Sequence, residues 1–585
     1  MTQNLRGQVS DDWCIDNPKL NQRFPIYTRF NANDVLPDPI TPLGADLIWN
    51  PHILPGFSNA YAEMGCISVA EANVEPEAMP AAGFRYGHLY VNVTTARLTG
   101  IRSGLGWEAI DASFFGSHPE APAHEDHPDD GDPKVSERLA ARTGWTLTTS
   151  SFPELEEDTR IADRLRSQRP DFSEMTSAAL VAYARSLMPW ERMTWRGELI
   201  GGAQAAIGPA VIGSVLQPEL GLTPFELVGP AGDVVSAAPS YALWDLSRIV
   251  RNDSALSEMF DAGVAGLMPW LHDHHPDFHQ RFSAFLREFG YRGPSEWDLG
   301  ADSWETRPEL PLALIDRMRQ LDDSQSPTAR RTEAVAKAEL AVARVLESLA
   351  ASEEAQATLR MGLDSARRFA GYRELGKSNC IKIINEARVA LLELGRRLTT
   401  AGHFDHPRQV FMALDGELDR LVLDPELVTG AIRQREADWR EYEGLELPLF
   451  LDARVPRTPV GLLKRVGDEL HAVAGAGDVL SGIGAAPGSA SGRAVVITDP
   501  SDIASFEPGD VLIAPQTDPS WTPLFVVAAA VVVGVGAPNS HAMIVSRELG
   551  IPCVAGLEGA TQKIPAGATV TVDGSLGTVT IDALG

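Results

Sequence analysis

Near residue 480 the sequence changes its period, and this change restricts the fold more than any other feature. Upstream, the segments 332–354, 356–371 and 380–401 place apolar residues three and four apart, the spacing of helices with one buried face. Downstream come short β-type runs at 493–498, 510–514, 529–533, 553–555, 568–572 and 578–581, separated by Gly/Pro turns and one short helical stretch. One core cannot satisfy both patterns, and 585 residues exceed what a single core holds. The chain therefore reads as a multidomain α+β protein. Residues 1–471 form a large region, mostly helical after about 153; the small residues of 472–481 read as a hinge linker; and 482–585 form a C-terminal α/β domain. The first hundred residues, rich in Pro, Gly and Asn, read as loops with a few strands such as 89–93, and 200–216 as a helix buried on most sides. Residues 117–134 concentrate acid and proline and read as a solvated loop.

Charge narrows the partners. Lys and Arg number 50 against 79 Asp and Glu, a net charge of −29, which repels nucleic acid and anionic membrane alike. The four cysteines, Cys14, Cys66, Cys380 and Cys553, contain no CxxC pair, so a reducing, cytoplasmic setting without disulfides is expected. The start, MTQNLRGQVSDDWCIDNPKL, has no apolar run behind a basic head, so no signal peptide is expected. The apolar stretch 524–535 is short of the ~20 residues that span a bilayer. Neither the histidines His118, His124 and His127 nor HDHH at 272–275, taken as a Pro-bounded loop, are expected to hold a metal. Gly482, Gly484 and Gly488 precede a strand and so do not form a dinucleotide-binding turn.

The chemistry concentrates in GAPNSHAMIVSRELGIPCVAG, 536–556. Asn539 and Ser540 are good N-cap residues, a helix is expected from about His541 to Leu549, Gly550 suits a left-handed cap, and Pro552 prevents its resumption. His541 then lies in the first turn, where free N–H groups and the positive dipole end favour an anion. Neutral imidazole is a nucleophile near pH 7, and its phosphorylated form could be held by those N–H groups and the Ser540 hydroxyl.

This segment resembles the signature of the phosphohistidine swivelling domain of phosphoenolpyruvate-utilising enzymes: Ser540-His541-Ala542, then Arg547-Glu548-Leu549-Gly550-Ile551-Pro552. GIGAAPGSASGRAVV (482–496) resembles that domain's opening strand and turn, and TDPSWTPLF (517–525) the segment before the histidine strand. The Ala537-Pro538-Asn539 stretch departs from relatives that carry a second Gly and a Thr or Leu. The resemblance implies that His541 carries phosphate.

The rest of the chain is similar, more patchily, to the substrate-binding region of rifampin phosphotransferase and its relatives. The matching stretches are TRFNANDVLPDPITPL (28–43), FLREFGYRGPSEWDLGADSWETRPEL (285–310), RELGK (373–377) and DHPRQVFMALDGEL (405–418). Arg373 and Lys377 fall one helical turn apart and share a face; the resemblance places phosphate-handling residues there, where both could neutralise a transferring phosphoryl group. Arg292, Glu296 and Asp298 form a further polar cluster open to a substrate or a structural role. The Met/Trp-rich segments 188–195 and 266–270 offer Trp190 and Met193 as an aromatic-binding surface or as ordinary core. No stretch reads as a nucleotide cradle. The arrangement is similar to that of phenylphosphate synthase and alkylphenol-phosphorylating enzymes, in which a separate ATP-grasp subunit holds Mg2+ and ATP and charges the histidine. The expected activity is phosphoryl transfer from ATP, through His541, to a hydroxyl of a small aromatic acceptor, a phenol or alkylphenol. The alternatives are a rifamycin-type antibiotic phosphotransferase, a phosphoenolpyruvate synthase-like enzyme, a plain phosphocarrier, or a non-catalytic phosphate-responsive binding protein.

Overall fold

The computed structural model describes residues 13–585 except 31, 34, 76–77, 79, 116–117, 119, 230–237, 466–471, 499–505, 518–520 and 537–539; the side chains of 113, 485, 523, 541 and 548 also lie outside the description. Strand β1 (Ile26–Thr28) is followed by a π-helix (Gly44–Ile53) that runs into α1 (Leu54–Met64), then α2 (Val69–Asn73) and the hairpin β2 (Ala82–Arg85) and β3 (His88–Asn92). Helices α3 (Val93–Ser103), α4 (Trp107–Phe115), α5 (Pro133–Thr148) and α6 (Pro153–Ser167) complete the N-terminal part. Helix therefore begins a hundred residues before the expected boundary near 153. Its prolines mislead the reading of composition: Pro55 and Pro133 sit in first turns, where a missing N–H costs nothing.

Next come α7 (Ser177–Gln204), α8 (Ile207–Val215), α9 (Pro224–Val228), α10 (Ala238–Asn252), α11 (Ser254–Asp261), α12 (Leu267–His274), α13 (Pro276–Phe289), α14 (Glu309–Arg319) and α15 (Pro327–Ser348). HDHH at 272–275 thus closes a helix rather than forming a loop, with His274 stacked on Trp270 at 5.0 Å. Helix α16 (Glu353–Thr400) runs 48 residues through Gly371 and Gly376, where two shorter helices are expected. Packing overrides glycine's poor helix propensity here, because α7, α6 and α8 all lie against it. After α17 (Asp415–Leu423) and α18 (Glu426–Glu443), β4 (Phe450–Asp452) returns to pair antiparallel with β1, giving the sheet order β2-β3-β1-β4 and tying residue 450 to residue 28.

The C-terminal domain has strands β5 (Val479–Ser481), β6 (Ile483–Ala486), β7 (Ser489–Val496), β8 (Val511–Ala514), β9 (Ala530–Val533), β10 (Cys553–Ala555), β11 (Thr569–Asp573) and β12 (Thr578–Ala583). Its helices are α19 (Thr522–Val527), α20 (His541–Leu549) and α21 (Ala560–Lys563), and its sheet runs β5-β12-β11-β7-β8-β9-β10-β6. Strands β7-β8-β9-β10 run parallel, and β8, β9 and β10 are buried on both faces, so their runs are continuously apolar rather than alternating. Part of the stretch read as a hinge linker, 474–481, is joined to the C-terminal domain: β5 pairs with β12, and the Ala474 N–H donates to the Lys563 carbonyl at 2.8 Å.

One continuous apolar cluster joins α10–α14 to one face of this sheet, including Leu243, Phe285 and Met318 on one side and Leu512, Val526 and Met543 on the other. The run 177–215 is long enough for a membrane span and contains an 18-residue window of mean hydropathy 1.2. Here it is α7 and α8, carries Arg185, Glu191, Arg192, Arg196 and Glu198, and lies along α16.

Candidate active site

Helix α20 opens as its sequence predicts. Ser540 is its N-cap, extended at φ −70° and ψ 160°, and His541 is its first residue. The Ser540 side chain is buried yet caps nothing, and its Oγ has no hydrogen-bond partner among the described residues. A Cβ on Gly536 would stand 3.1 Å from that oxygen, so only glycine leaves the hydroxyl room. A buried hydroxyl beside uncapped N–H groups is a pair of donors without an acceptor, which suits an anion on the adjacent residue. Asn539 lies outside the described residues. Gly550 takes the left-handed C-cap at φ 66°.

The acceptor-side residues gather where α7, α16 and the loop after α13 meet. Lys377 on α16 approaches Glu296 at 3.3 Å, and Arg292 donates to the same carboxylate oxygen at 3.0 Å. Arg292, Glu296 and Lys377 are thus brought together. Arg373, half-buried one turn earlier on α16, has no ion pair within 4 Å among the described residues, which leaves its charge available to an anion. Asp298 points elsewhere: Thr41 donates to it from its hydroxyl at 2.5 Å and its amide at 3.2 Å, so it anchors the loop to the chain before the π-helix. Buried Arg388 pins the same loop, donating to the carbonyls of Glu296 and Asp298 at 2.8 Å each and to that of Leu299 at 3.2 Å.

Trp190 and Met193, read as an aromatic-binding surface or as ordinary core, are placed apart: Met193 is exposed and Trp190 packs on the general core, both off the face of α7 that meets α16. That face carries Glu191, Thr194, Trp195 and Glu198, spaced three, four and seven apart, a signal present in ERMTWRGE but masked by its neighbouring Trp and Met. Trp195, Trp49 and Trp297 meet edge to face, with centroids 4.9–6.3 Å apart, and the Lys377 ammonium lies 5.9 Å from the Trp297 ring centre. The indole N–H groups of Trp195 and Trp297, both oxygens of Glu191 and Oε2 of Glu296 are buried without partners among the described residues. So many unpaired polar atoms on three segments mark a place where water or a ligand belongs. Burial drives the Glu191 carboxyl well above its usual range.

Two clefts flank the loop. One of about 940 Å³ has Tyr241, Phe289 and Tyr291 beside Arg166, Arg169 and Lys382. The other, about 570 Å³, is lined by Asp298, Arg408 and Trp439 on one side and by Pro515, Thr517 and Trp521 of the C-terminal domain on the other. The loop 117–134 is largely exposed, as its composition suggests, and is tied down at Asp130. His124 and Asp130 pair at 3.1 Å, Arg23 reaches Asp130 at 2.8 Å, and Arg102 donates to the Asp130 carbonyl. His124, Asp126 and Asp130 hold potential ligand atoms within 4.8 Å, but these ties already use Asp130.

Comparison with known proteins fits this geometry. Residues 506–577 match the mobile domain of PEP-utilising enzymes, and 200–374 match the rifampicin phosphotransferase fourth domain. Through these matches and its relatives the chain resembles the phosphoenolpyruvate-utilising enzymes, rifampicin phosphotransferase among them. It is 31% identical to that of Streptomyces sviceus over 308 residues, covering 51% of this chain and 34% of the relative. It is 30% identical to the prodigiosin synthesizing transferase PigC of Serratia marcescens over 347 residues, covering 57% and 38%. An uncharacterised Mycobacterium tuberculosis protein is 28% identical over 610 residues, covering 98% of this chain and 63% of the relative. The chain thus spans less than two thirds of the length of these relatives. In family terms, His541 and Ser540 lie in the mobile domain, and Arg373 lies at the end of the fourth-domain match.

Proposed function

We propose that this chain is the acceptor-binding and phosphate-carrying part of an ATP-driven, dikinase-type phosphotransferase. ATP with Mg2+ is bound by an ATP-grasp unit outside these residues, in the simplest form a partner subunit, which leaves a phosphoryl group on His541. An acceptor hydroxyl then attacks phosphorus: the N–P bond of phosphohistidine breaks, an O–P bond forms, the hydroxyl proton departs, and Arg373 and Lys377 offset the charge in flight. The observation that carries this reading is His541 opening a helix whose N-cap hydroxyl is buried and unpaired, inside the family's mobile domain.

The acceptor we favour is a small phenol or alkylphenol, supported by the Trp49–Trp195–Trp297 group beside Lys377. A rifamycin is the second reading, supported by the fourth-domain match and the Streptomyces relative. The test charges the protein with phosphoramidate, a small phosphoryl donor that bypasses the nucleotide unit, and offers phenol, 4-alkylphenols and rifampicin. Expected is an acid-labile, alkali-stable phosphate at His541, absent from His541→Ala and discharged by at least one acceptor. Phosphate that never reaches His541, or stays there with every acceptor, sinks the proposal.

A further inference from the structure

Transfer to a hydroxyl needs a group to take the proton, and the acids around Arg373 and Lys377 can be sorted by their surroundings. Glu296 is held between Arg292 and Lys377. Glu191 is sealed in the core. Glu198 differs from both. It sits on the active face of α7 where that helix runs closest to α16: a Cβ on Gly376 would fall 2.7 Å from the Glu198 Cα, and one on Gly201 3.4 Å from the Arg373 amide nitrogen. The contact is possible only because both helices carry glycine there, and it sets Glu198 beside Arg373 and Lys377.

Its carboxylate is half-buried, accepts no hydrogen bond among the described residues, and borders open space. A Cβ on Gly202, the next turn of α7, would meet only Glu198 Oε1, at 3.9 Å. An unoccupied carboxylate, two cations and a vacant turn of helix make room for a hydroxyl between proton acceptor and phosphoryl clamp.

We propose that Glu198 takes the proton from the acceptor hydroxyl as the phosphoryl group leaves His541. The proposal rests on the phosphotransfer reading and adds the residue that completes its balance: the hydroxyl proton moves to the Glu198 carboxylate, the N–P bond breaks with its electron pair on the His541 ring nitrogen, and that nitrogen takes one proton from solvent, leaving a carboxylic acid and neutral imidazole. The charged groups facing Glu198 are Arg373, Lys377 and Glu374. Burial raises its pKa, Arg373 and Lys377 draw it back, and it settles at about 7, where half the molecules hold it ionised at neutral pH.

The experiment uses full-length chain charged at His541 by phosphoramidate and follows a single discharge to the accepting phenol or rifampicin from about pH 5.5 to 9. The wild-type rate should rise with pH through a midpoint near 7. Glu198→Gln should charge equally, discharge about 10²–10⁴-fold more slowly, and lose that midpoint. Gly202→Leu, which fills the vacant turn and lies against the carboxylate without removing it, should slow discharge with charging unchanged, whereas Gly371→Leu, with nothing within 4 Å of its Cβ, should not. A Glu198→Gln chain that keeps the wild-type rate and pH profile overturns this proposal alone. A charged wild type that discharges to no acceptor overturns it together with the parent reading.

Discussion

Arg373 and Lys377 are alike in the sequence and unlike in their surroundings. Lys377 is committed to Glu296 at 3.3 Å, whereas Arg373 has no such partner among the described residues. A cation already paired gives little further stabilisation to a phosphoryl group; an unpaired, half-buried one gives more. Arg373→Ala is therefore expected to slow discharge of phosphohistidine by about 10²–10³-fold, with charging and urea midpoint unchanged. The check is to measure charging, discharge and stability on the same preparation. A parallel fall in charging, or a large loss of stability, would show that the guanidinium serves the fold instead.

At the scale of elements, the crossing of α7 and α16 decides the site. Its glycines differ sharply in what surrounds them. Gly376 faces the backbone of Glu198, while Gly371, in the same helix, has nothing within 4 Å of where a Cβ would stand. Gly376→Ala should force the helices apart and destabilise by about 1–3 kcal/mol. Gly371→Ala should be neutral or stabilising by up to about 1 kcal/mol, because only helix propensity changes. Urea unfolding of the two variants tests the contrast, and equal effects would mean that the close approach is not a constraint.

Across the whole molecule, the mobile domain is held by more than a tether. Its sheet shares an apolar cluster with α10–α14, Arg317 of α14 pairs with Glu507 at 3.2 Å, and the Arg547 guanidinium on α20 lies 4.2 Å from the Phe225 ring centre of α9. Helix α9 is in turn fastened to α16, where Arg367 donates to the Val228 carbonyl, six residues before Arg373. Helix α20 is thus linked through α9 to α16. Losing a partly buried cation–π contact of about 0.5–2 kcal/mol should raise the opening of this contact about two- to thirty-fold in Phe225→Ala. Hydrogen exchange in 541–549 and 327–348 measures it. Unchanged protection there would mean that Phe225 does not hold the domain.

The sequence alone determined what depends on neighbours along the chain. Six of the eight strands of the C-terminal domain, the helix from His541 to Leu549 and its glycine cap were legible, because period, capping residues and turn residues act locally. Early prolines hid the helices before residue 153, and the small residues of 472–481 drew attention from the strand Val479–Ser481, since composition does not say whether a proline opens a helix or where a linker ends and a strand begins. Only the tertiary structure decided which polar residues share a site. Arg292 and Lys377 meet at Glu296 although far apart in sequence, Asp298 turns away to Thr41, and the face of α7 that meets α16 carries Glu198 and Trp195 rather than Met193 and Trp190. The physical reason is that α7 can approach α16 closely along one face only, and which face this is depends on a partner helix far along the chain.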